Sequence, residues 1–207
     1  MTRTCTVRDI SIGHGQPLAI IAGPCVLESF EQGLAIGTAA RDACRRLGLS
    51  YIFKASFDKA NRSSIRSPRG PGLEKGLDWI ARIGQSLGVP TTTDIHEPAH
   101  AEPAARVIDL LQIPAFLCRQ TDLVVAVAKS GRVANVKKGQ FLAPWDMKNV
   151  LEKIRRSGGR AILTERGVSF GYNTLVSDFR AIPEMQKLGV PVVYDATHSV
   201  QQPGGRG

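Results

Sequence analysis

The chain has 207 residues, of which 43% are hydrophobic and 22% are charged, a composition typical of a folded globular protein. It contains neither the roughly 18 consecutive apolar residues of a membrane-spanning helix nor the apolar core of an N-terminal signal peptide. We therefore expect a cytoplasmic protein with no membrane partner, whose four cysteines are free thiols. The net charge of +9 is compatible with either a nucleic acid or a small phosphorylated molecule as the ligand.

Two short apolar runs begin the chain, at residues 7–12 and 18–21, and the stretch between them predicts a β-hairpin with its turn at 13–17. The second run continues to Cys25 without a polar residue, which is typical of a strand buried on both faces of a parallel sheet. Residues 29–47 then carry apolar side chains at helical spacing and are followed by a glycine, which predicts a helix that ends there.

The same alternation of strand and helix continues along the chain, without a linker or a break in composition. The further predicted strands are 51–56, 90–95, 109–115, 133–136, 161–165 and 190–195. The further predicted helices are 73–87, 99–107, 121–129, 144–156 and 177–188. The pattern thus predicts seven strands and six helices in a single domain that covers residues 1–207.

Strict alternation of β and α units is typical of a parallel sheet flanked by helices. An open doubly wound sheet and a closed (β/α)8 barrel both fit, but no Gly-x-Gly-x-x-Gly follows the first strand, so a dinucleotide-binding fold has no support. A TIM barrel typically needs about 250 residues, whereas a glycine-rich tail at 201–207 follows the seventh strand. We therefore predict an α/β protein with the (β/α)8 TIM barrel fold and a short N-terminal β-hairpin, whose final helix, strand and helix are absent from this sequence.

The loop that follows the second barrel strand, within residues 54–72, is rich in positive charge and contains one acid, Asp58. Its cations are Lys54, Lys59, Arg62, Arg66 and Arg69. Like charges this close repel each other, so the run is either a solvated basic surface or a site for an anion. Asn61, serines and glycines are interleaved with the cations at the end of a strand, where α/β folds place their sites. This arrangement favours a phosphate site.

Polar residues also stand at the ends of the predicted strands. In chain order they are Cys25, Lys54, Asp94, Gln112 with Ala115 nearby, Lys137, Arg166 and His198. In a barrel the carboxyl ends of the strands meet at one mouth, where active sites lie. Because burying several cations is costly without counter-charges, the pattern predicts an anionic substrate that supplies them.

The segment His-Glu-Pro-Ala-His at 96–100 matches the pattern of zinc proteases, which requires a helix that places both histidines on one face. Pro98 disfavours helical geometry at Glu97, and His96 ends a strand. We therefore reject a protease site and expect His100 and His14 at the surface.

Seven separate segments resemble the 3-deoxy-D-manno-octulosonate 8-phosphate synthases, also called 2-dehydro-3-deoxyphosphooctonate aldolases. They are Ala-Gly-Pro-Cys at 22–25, Phe-Lys-Ala-Ser-Phe-Asp-Lys-Ala-Asn-Arg-Ser-Ser at 53–64, Thr-Asp-Ile-His-Glu at 93–97, Gln-Ile-Pro-Ala-Phe at 112–116, Asn-Val-Lys-Lys-Gly at 135–139, Thr-Glu-Arg-Gly at 164–167 and Asp-Ala-Thr-His-Ser-Val at 195–200. The resemblance implies an enzyme with the TIM barrel fold that is usually a homotetramer. This enzyme would condense phosphoenolpyruvate with arabinose 5-phosphate and water. The products would be inorganic phosphate and a precursor of lipopolysaccharide.

The resemblance also implies roles for individual residues. Phosphoenolpyruvate would be held by Lys59, Lys137, Arg166, Gln112 and the backbone of Ala115. Asn61 and Arg62 would hold the sugar and its phosphate, and Asp94 would contact the sugar hydroxyls. Arg119 of a neighbouring subunit would reach the same phosphate. Lys54 and His198 would lie at the reacting carbons, so that the expected catalytic residues are Lys54, Lys59, Asp94 and His198.

A divalent metal is a further implication of the resemblance. The family has a metal-free kind with asparagine at the position of Cys25 and a metal-dependent kind with cysteine there. Cys25 and His198 would then bind zinc, iron, manganese or cobalt. The family's other two ligands, a Glu and an Asp on the last strand, are not in this sequence. The alternative is that Cys25 only packs in the interior and His198 only binds substrate.

Three other functions stay open. A sister synthase that uses erythrose 4-phosphate has Lys-Pro-Arg-Thr-Ser where this chain has Lys-Ala-Asn-Arg-Ser at 59–63, so Asn61 favours the five-carbon sugar. Lys137 on a barrel strand could instead be the nucleophile of a Schiff-base aldolase. A nucleic-acid binder would need aromatic residues for stacking, and the basic loop offers Phe57 alone, so we expect no nucleic-acid partner.

Overall fold

The computed structural model describes residues 4–202. Its strands are β1 Cys5–Val7, β2 Ile10–Ile12, β3 Ala19–Ala22, β4 Ser50–Lys54, β5 Thr91–Asp94, β6 Leu110–Ile113, β7 Val133–Lys137, β8 Arg160–Glu165, β9 Val168–Ser169, β10 Leu175–Val176 and β11 Val192–Tyr194. Its α-helices are α1 Phe30–Arg46, α2 Leu73–Leu87, α3 Ala101–Val107, α4 Thr121–Lys129, α5 Met147–Arg156 and α6 Ala181–Gln186. Short 3-10 helices cover Pro98–His100, Ala115–Leu117, Pro144–Asp146 and His198–Val200.

Seven parallel strands within the described residues form one curled sheet in the order β11-β8-β7-β6-β5-β4-β3. Each strand of this sheet pairs with the sheet strand before or after it, β11 with β8 across the β9–β10 ribbon, and α-helices lie on the connections, as in a (β/α)8 barrel. The predicted α/β fold is thus confirmed. That a further unit closes the barrel stays a prediction, and the tail at 203–207 lies outside the described residues.

The predicted N-terminal hairpin is present, but its predicted turn at 13–17 is wrong. β1 and β2 pair in antiparallel register across Arg8 and Asp9, and Arg8 has a positive φ of 51°. These two polar residues interrupt the first apolar run and so provide the turn, whereas β3 is apolar on both faces and enters the parallel sheet. The hairpin residues Cys5, Val7 and Ile10 pack against the inner side chains of the sheet. The hairpin therefore covers one end of the sheet's interior.

Helix α1 packs closely on the sheet because two of its buried positions are glycines. A Cβ atom at Gly37 would lie 2.6 Å from Leu87 Cδ1 and 3.0 Å from Phe53 Cδ2, so a larger residue there would require the Leu87 and Phe53 side chains to shift. The helix begins where the Ser29 hydroxyl accepts a hydrogen bond from the Gln32 amide at 3.1 Å. These contacts position the strand that carries Lys54 into the site.

The helix predicted at 177–188 is present but shorter, because α6 covers Ala181–Gln186. An antiparallel ribbon of β9 and β10, which the pattern did not predict, precedes it on the same connection. The ribbon turns at Gly171 and Asn173, whose φ angles are 72° and 53°, so local turn chemistry sets its shape. No helix in the described part of the chain has the length and apolar character needed to cross a membrane.

Candidate active site

An open cavity of about 530 Å³ lies at the carboxyl ends of the strands. The predicted site residues that line it are Cys25, Lys54, Lys59, Asn61, Arg62, Asp94, Gln112, Ala115, Lys137, Arg166 and His198. Arg119 is the predicted site residue that does not line it. Five lysine or arginine side chains and two aspartates surround the cavity, so its lining carries an excess of positive charge that suits a polyanion.

The buried hydroxyl of Ser56 joins three of these side chains. It accepts hydrogen bonds from Lys54 Nζ at 3.2 Å and from Lys59 Nζ at 2.8 Å, and it donates one to the Asp94 carboxylate. A serine hydroxyl has one donor and two acceptor positions, so its capacity is fully used. Ser56 therefore holds two ammonium groups side by side against their mutual repulsion.

Asp94 is a buried carboxylate that is 6% exposed. Its oxygens lie 3.7 Å from Lys54 Nζ and 3.1 Å from His96 Nε2. Burial by itself would raise the pKa of Asp94, but Lys54, His96, Lys59 and Ser56 together hold that pKa well below its usual range. Burial lowers the pKa of the Lys54 ammonium, and the nearby Asp94 carboxylate partly offsets this by raising it. Asp94 is thus ionised at neutral pH and can accept hydrogen bonds from hydroxyl groups.

Asp195 links two cavity residues that are far apart in the chain. Its Oδ2 lies 2.6 Å from Lys137 Nζ and 2.8 Å from His198 Nδ1, and its Oδ1 accepts a bond from the His198 amide at 3.0 Å. Burial would raise the pKa of Asp195, but its bonds to His198 and Lys137 hold that pKa well below the usual range. The carboxylate therefore orients both the ammonium and the imidazole.

Cys25 lies directly beside His198 at the cavity. A side-chain hydrogen bond with His198 lowers the pKa of the Cys25 thiol to about 6, and Lys59 and Lys54 add to this against the opposing effect of burial. The bonds of His198 to Asp195 and Cys25 raise the pKa of its imidazole. Close backbone approach places Cys25 here, since a Cβ atom at Gly23 would lie 1.9 Å from the Lys54 carbonyl oxygen.

Arg166 is a buried guanidinium, 3% exposed, that follows β8. Its Nη2 donates to the His198 carbonyl at 3.2 Å and to Gln201 Oε1 at 2.9 Å. Its Nη1 is buried and has no hydrogen-bond partner among the described residues. Burial lowers the pKa of the Arg166 guanidinium, and the negative charges of Asp195 and Glu165 partly offset this lowering. Because an unpaired buried donor is costly, this nitrogen is suited to an anionic ligand in the cavity.

The cations of the basic loop divide into two groups. Lys54, Lys59 and Arg62 line the cavity, and the exposed Arg62 donates from Nε to the Pro68 carbonyl at 3.1 Å. Arg66 and Arg69 do not line it. Arg69 instead forms a two-bond ion pair with Asp58, with Nε 2.8 Å from Oδ1, so its charge is balanced within the protein.

Arg119 is exposed on the connection between β6 and α4. Its carbonyl oxygen accepts a bond from Lys153 Nζ at 3.1 Å, while its side chain lies outside the cavity lining. Its position therefore gives it no part in the cavity of its own chain.

The histidine pattern at 96–100 does not form a metal-protease helix. Glu97 is extended, with φ of −132° and ψ of 150°, as expected before proline. His96 and His100 both contact the Phe57 ring, with centroid distances of 5.6 and 5.5 Å. His100 is thus half-buried, and its predicted place at the surface is wrong because aromatic packing covers it. His14 is exposed, as predicted.

Sequence reasoning did not assign Ser56, His96 or Asp195 to the site. Ser56 could have been found from strand periodicity, since side chains two residues apart in extended chain point the same way and Lys54 precedes it by two. The contact of Asp195 with Lys137 had no such local signal, because the two residues are 58 positions apart. Within residues 4–202, no group of three or more histidine, cysteine, aspartate or glutamate side chains is arranged to hold a metal ion.

Comparison with known proteins adds an independent observation. Residues 2–207 match the family model described as the DAHP synthetase I family. The chain is 60% identical to the 2-dehydro-3-deoxyphosphooctonate aldolase of Cyanothece sp., across 100% of this chain and 76% of that protein. It is 58% identical to the protein of that name from Geobacter sp., with the same coverage. It is 61% identical to that of Nitratidesulfovibrio vulgaris, across 91% of this chain and 69% of that protein.

Proposed function

Because this chain belongs to the DAHP synthetase I family, we propose that it is a 3-deoxy-D-manno-octulosonate 8-phosphate synthase. The enzyme condenses phosphoenolpyruvate with D-arabinose 5-phosphate and water and releases inorganic phosphate. The observation that carries this function is the 60% identity, across the whole chain, to a protein named 2-dehydro-3-deoxyphosphooctonate aldolase. A cavity lined with an excess of cations supports it, since both substrates are phosphorylated anions.

The reaction forms one carbon–carbon bond and one carbon–oxygen bond, the latter from water, and it breaks the carbon–oxygen bond to the phosphate. Carbon 3 of the enol phosphate attacks the aldehyde carbon of the sugar, so positive charge develops at carbon 2. Water adds to carbon 2, and the phosphate group then leaves with its bridging oxygen. A site for this chemistry must hold two anions together, supply a proton to the new alkoxide and direct water to one face.

The phosphoenolpyruvate side of the cavity is assigned to Lys59, Lys137 and Arg166, with Gln112 and the backbone of Ala115. The orphaned Nη1 of Arg166 and the two fixed ammonium groups provide charged donors for phosphate and carboxylate oxygens. Because Ser56 and Asp195 already orient Lys59 and Lys137, little reorganisation is needed when the substrate binds.

Lys54, Asp94 and His198 are assigned to the reacting centre. Burial lowers the pKa of the Lys54 ammonium, which makes it a better proton donor to the alkoxide formed from the sugar aldehyde. The Asp94 carboxylate accepts hydrogen bonds from sugar hydroxyls. Asp195 holds the His198 imidazole toward the cavity, where it can position the attacking water.

A divalent metal at Cys25 and His198 is part of this proposal. The donor set fits: a thiol with a pKa of about 6 adjoins an imidazole whose Nδ1 contacts the Asp195 carboxylate. Zinc, iron, manganese or cobalt are the candidates. When bound, the ion would act as a Lewis acid that orients water or the sugar carbonyl. Cys25 follows β3 and His198 follows β11, which are the two edge strands of the described sheet. The two side chains are nevertheless hydrogen-bonded, because the sheet is curled.

A homotetramer with shared sites is also proposed. Arg62 and Asn61 lie at the exposed rim, and Arg119 lies outside the cavity of its own chain, so a neighbouring subunit would bring Arg119 to the sugar phosphate. Phe116, Phe141 and Trp145, which stand on the connections around the mouth, are 57%, 60% and 60% exposed. Large exposed aromatic side chains of this kind are typical of association surfaces.

We place the reaction in the cytoplasm.

Substrate choice is the direct test of the function. Incubation with phosphoenolpyruvate and each aldose phosphate in turn is expected to release phosphate rapidly with arabinose 5-phosphate and poorly with erythrose 4-phosphate. We expect this preference because the segment at 59–63 contains Asn61, whereas the synthase that uses erythrose 4-phosphate has Lys-Pro-Arg-Thr-Ser there. Colorimetric phosphate assay and product mass measure the outcome. Preference for erythrose 4-phosphate would overturn the assignment, and borohydride trapping of a Lys137 adduct would indicate a Schiff-base aldolase instead.

The shared site predicts complementation between two variants that each bind the sugar phosphate weakly. Arg62→Ala and Arg119→Ala are each expected to weaken sugar-phosphate binding by roughly 1.5 to 3 kcal/mol, the cost of one charged hydrogen bond. Phosphoenolpyruvate affinity should hardly change. Arg66→Ala is the matched control, because this exposed arginine of the same loop does not line the cavity.

Mixed oligomers reassembled from Arg62→Ala and Arg119→Ala chains should regain sites that contain both arginines. Activity of the mixture is then expected above that of either parent. A mixture whose activity at low arabinose 5-phosphate does not exceed that of the two parents would show that the two residues do not meet across subunits.

A further inference from the structure

Lys138 and Glu165 form a buried ion pair that has no role in the chemistry above. Lys138 Nζ lies 3.6 Å from Glu165 Oε1, and the two side chains are 0% and 2% exposed. Neither residue lines the cavity. Two charges removed from water in this way are costly unless further hydrogen bonds compensate them. The bonds that these two side chains make therefore indicate what the pair does.

Glu165 shapes the turn that carries Arg166 into the cavity. Its Oε1 accepts hydrogen bonds from the Arg166 amide at 3.0 Å and from the Gly167 amide at 2.6 Å. Gly167 has a φ of 89°, and a Cβ atom there would lie 3.3 Å from both Ser177 Oγ and the Val176 carbonyl oxygen. The carboxylate thus holds the chain in a tight left-handed turn immediately after the arginine.

Lys138 joins this turn to the neighbouring connection. Its Nζ donates to the Leu142 carbonyl at 3.2 Å and to the Gly167 carbonyl at 3.4 Å. Its amide donates to the Thr164 carbonyl at 2.8 Å, which continues the pairing of β7 with β8. Because successive side chains of extended backbone point to opposite sides, Lys138 turns away from the cavity that Lys137 enters.

The ion pair therefore connects the two chain segments that present Lys137 and Arg166. We propose that Lys138 and Glu165 are positioning residues that hold these two cations at the spacing required by the phosphate and carboxylate of one phosphoenolpyruvate molecule, an inference that rests on the proposed function. An apolar pair could fill the same space, but it could not donate to two carbonyl groups or accept from two amides. The charges are retained because each makes directional bonds to the backbone of the site.

Binding of phosphoenolpyruvate to Lys138→Met and to Glu165→Gln tests the proposal. The dissociation constant of Lys138→Met, measured by titration calorimetry, is expected to rise about tenfold or more, since small displacements of positioned groups have large effects. That of Glu165→Gln is expected to rise by a smaller factor, because glutamine loses the ion pair but keeps the bonds to the two backbone amides. The dissociation constant for arabinose 5-phosphate should stay within about twofold, because its predicted contacts belong to other connections. Glu165→Gln keeps an oxygen for the two amides, so it remains measurable if Lys138→Met fails to fold.

Two controls separate positioning from general loss of stability. Leu151→Ala removes a buried side chain from α5, which should lower the melting temperature without changing phosphoenolpyruvate affinity. The double variant Lys138→Met with Glu165→Gln contains no unpaired charge, so it should recover stability relative to the worse single variant. It should not recover affinity, because the bonds to the Leu142 and Gly167 carbonyl groups are still missing.

Wild-type affinity for phosphoenolpyruvate in both single variants would overturn the positioning role. Recovery of affinity together with stability in the double variant would also overturn it, since the pair would then act only through its buried charge. Failure of the unsubstituted protein to bind phosphoenolpyruvate would refute the proposed function itself, and the inference with it.

Discussion

Removal of divalent metal is expected to abolish phosphate release from phosphoenolpyruvate and arabinose 5-phosphate, and added divalent ion is expected to restore it. The reason is the juxtaposition of the Cys25 thiol and the His198 imidazole at the cavity, with Asp195 behind the imidazole. Chelator treatment followed by elemental analysis and an activity assay measures the effect. The same chelated protein should regain activity with some divalent ions and not with magnesium, which prefers oxygen ligands.

Substitutions at Cys25 sharpen this expectation. Cys25→Ala should lose both bound metal and activity. Cys25→Asn should keep some activity without metal, because the metal-free members of the resembled family have asparagine at this position. Cys44→Ala is the matched control, because Cys44 is a free cysteine buried in α1, away from the cavity. Full activity after exhaustive chelation, in protein without detectable metal, would leave Cys25 as a packing residue.

Replacing Lys54 with methionine is expected to lower kcat by about 10²- to 10³-fold, the effect of removing one preorganised charged donor from a reacting centre. Lys54 Nζ is bonded to Ser56 and lies 3.7 Å from Asp94, so no neighbouring lysine can take its place without breaking this network. Steady-state phosphate release measures the change. Lys75→Met is the control, since Lys75 lies over the Trp79 ring on α2 outside the cavity. A kcat near that of the wild type would exclude Lys54 from the reacting centre.

The same substitution should change how stability depends on pH. The folded-state pKa of Asp94 is depressed, so its contribution to stability is present above the ordinary value of 3.8 and is lost as the pH falls toward the folded value. Without Lys54 this pKa should rise, which makes the contribution smaller. The difference in the free energy of unfolding between the wild type and Lys54→Met should therefore be constant above the folded-state pKa of Asp94 in the variant and shrink as the pH falls below that value. Urea unfolding from pH 7 to about pH 2 measures it, and a pKa of Asp94 that is the same in both folded proteins would exclude the coupling.

Much of the fold could be predicted because each element has a local signal. β3 is an apolar run, and α2 has apolar residues at helical spacing between two glycines, so burial of each element requires the pattern that the sequence contains. The hairpin turn at Arg8 and the ribbon of β9 and β10 had weaker signals. Their turns depend on single residues with positive φ, which apolar periodicity does not detect.

The sequence by itself determined which residues stand at the ends of the parallel strands, and hence that a cluster of cations would meet at one mouth. Apolar residues that repeat every two positions predict strands, and those that repeat every 3.6 positions predict helices. In a barrel, the connections that follow the strands then contain the site residues. Only the tertiary structure decided which charge meets which partner. Ser56 contacts Asp94 across 38 positions, and Asp195 contacts Lys137 across 58. Such pairs depend on strand order and on the curl of the sheet, and these arise from packing of the whole chain rather than from any local pattern.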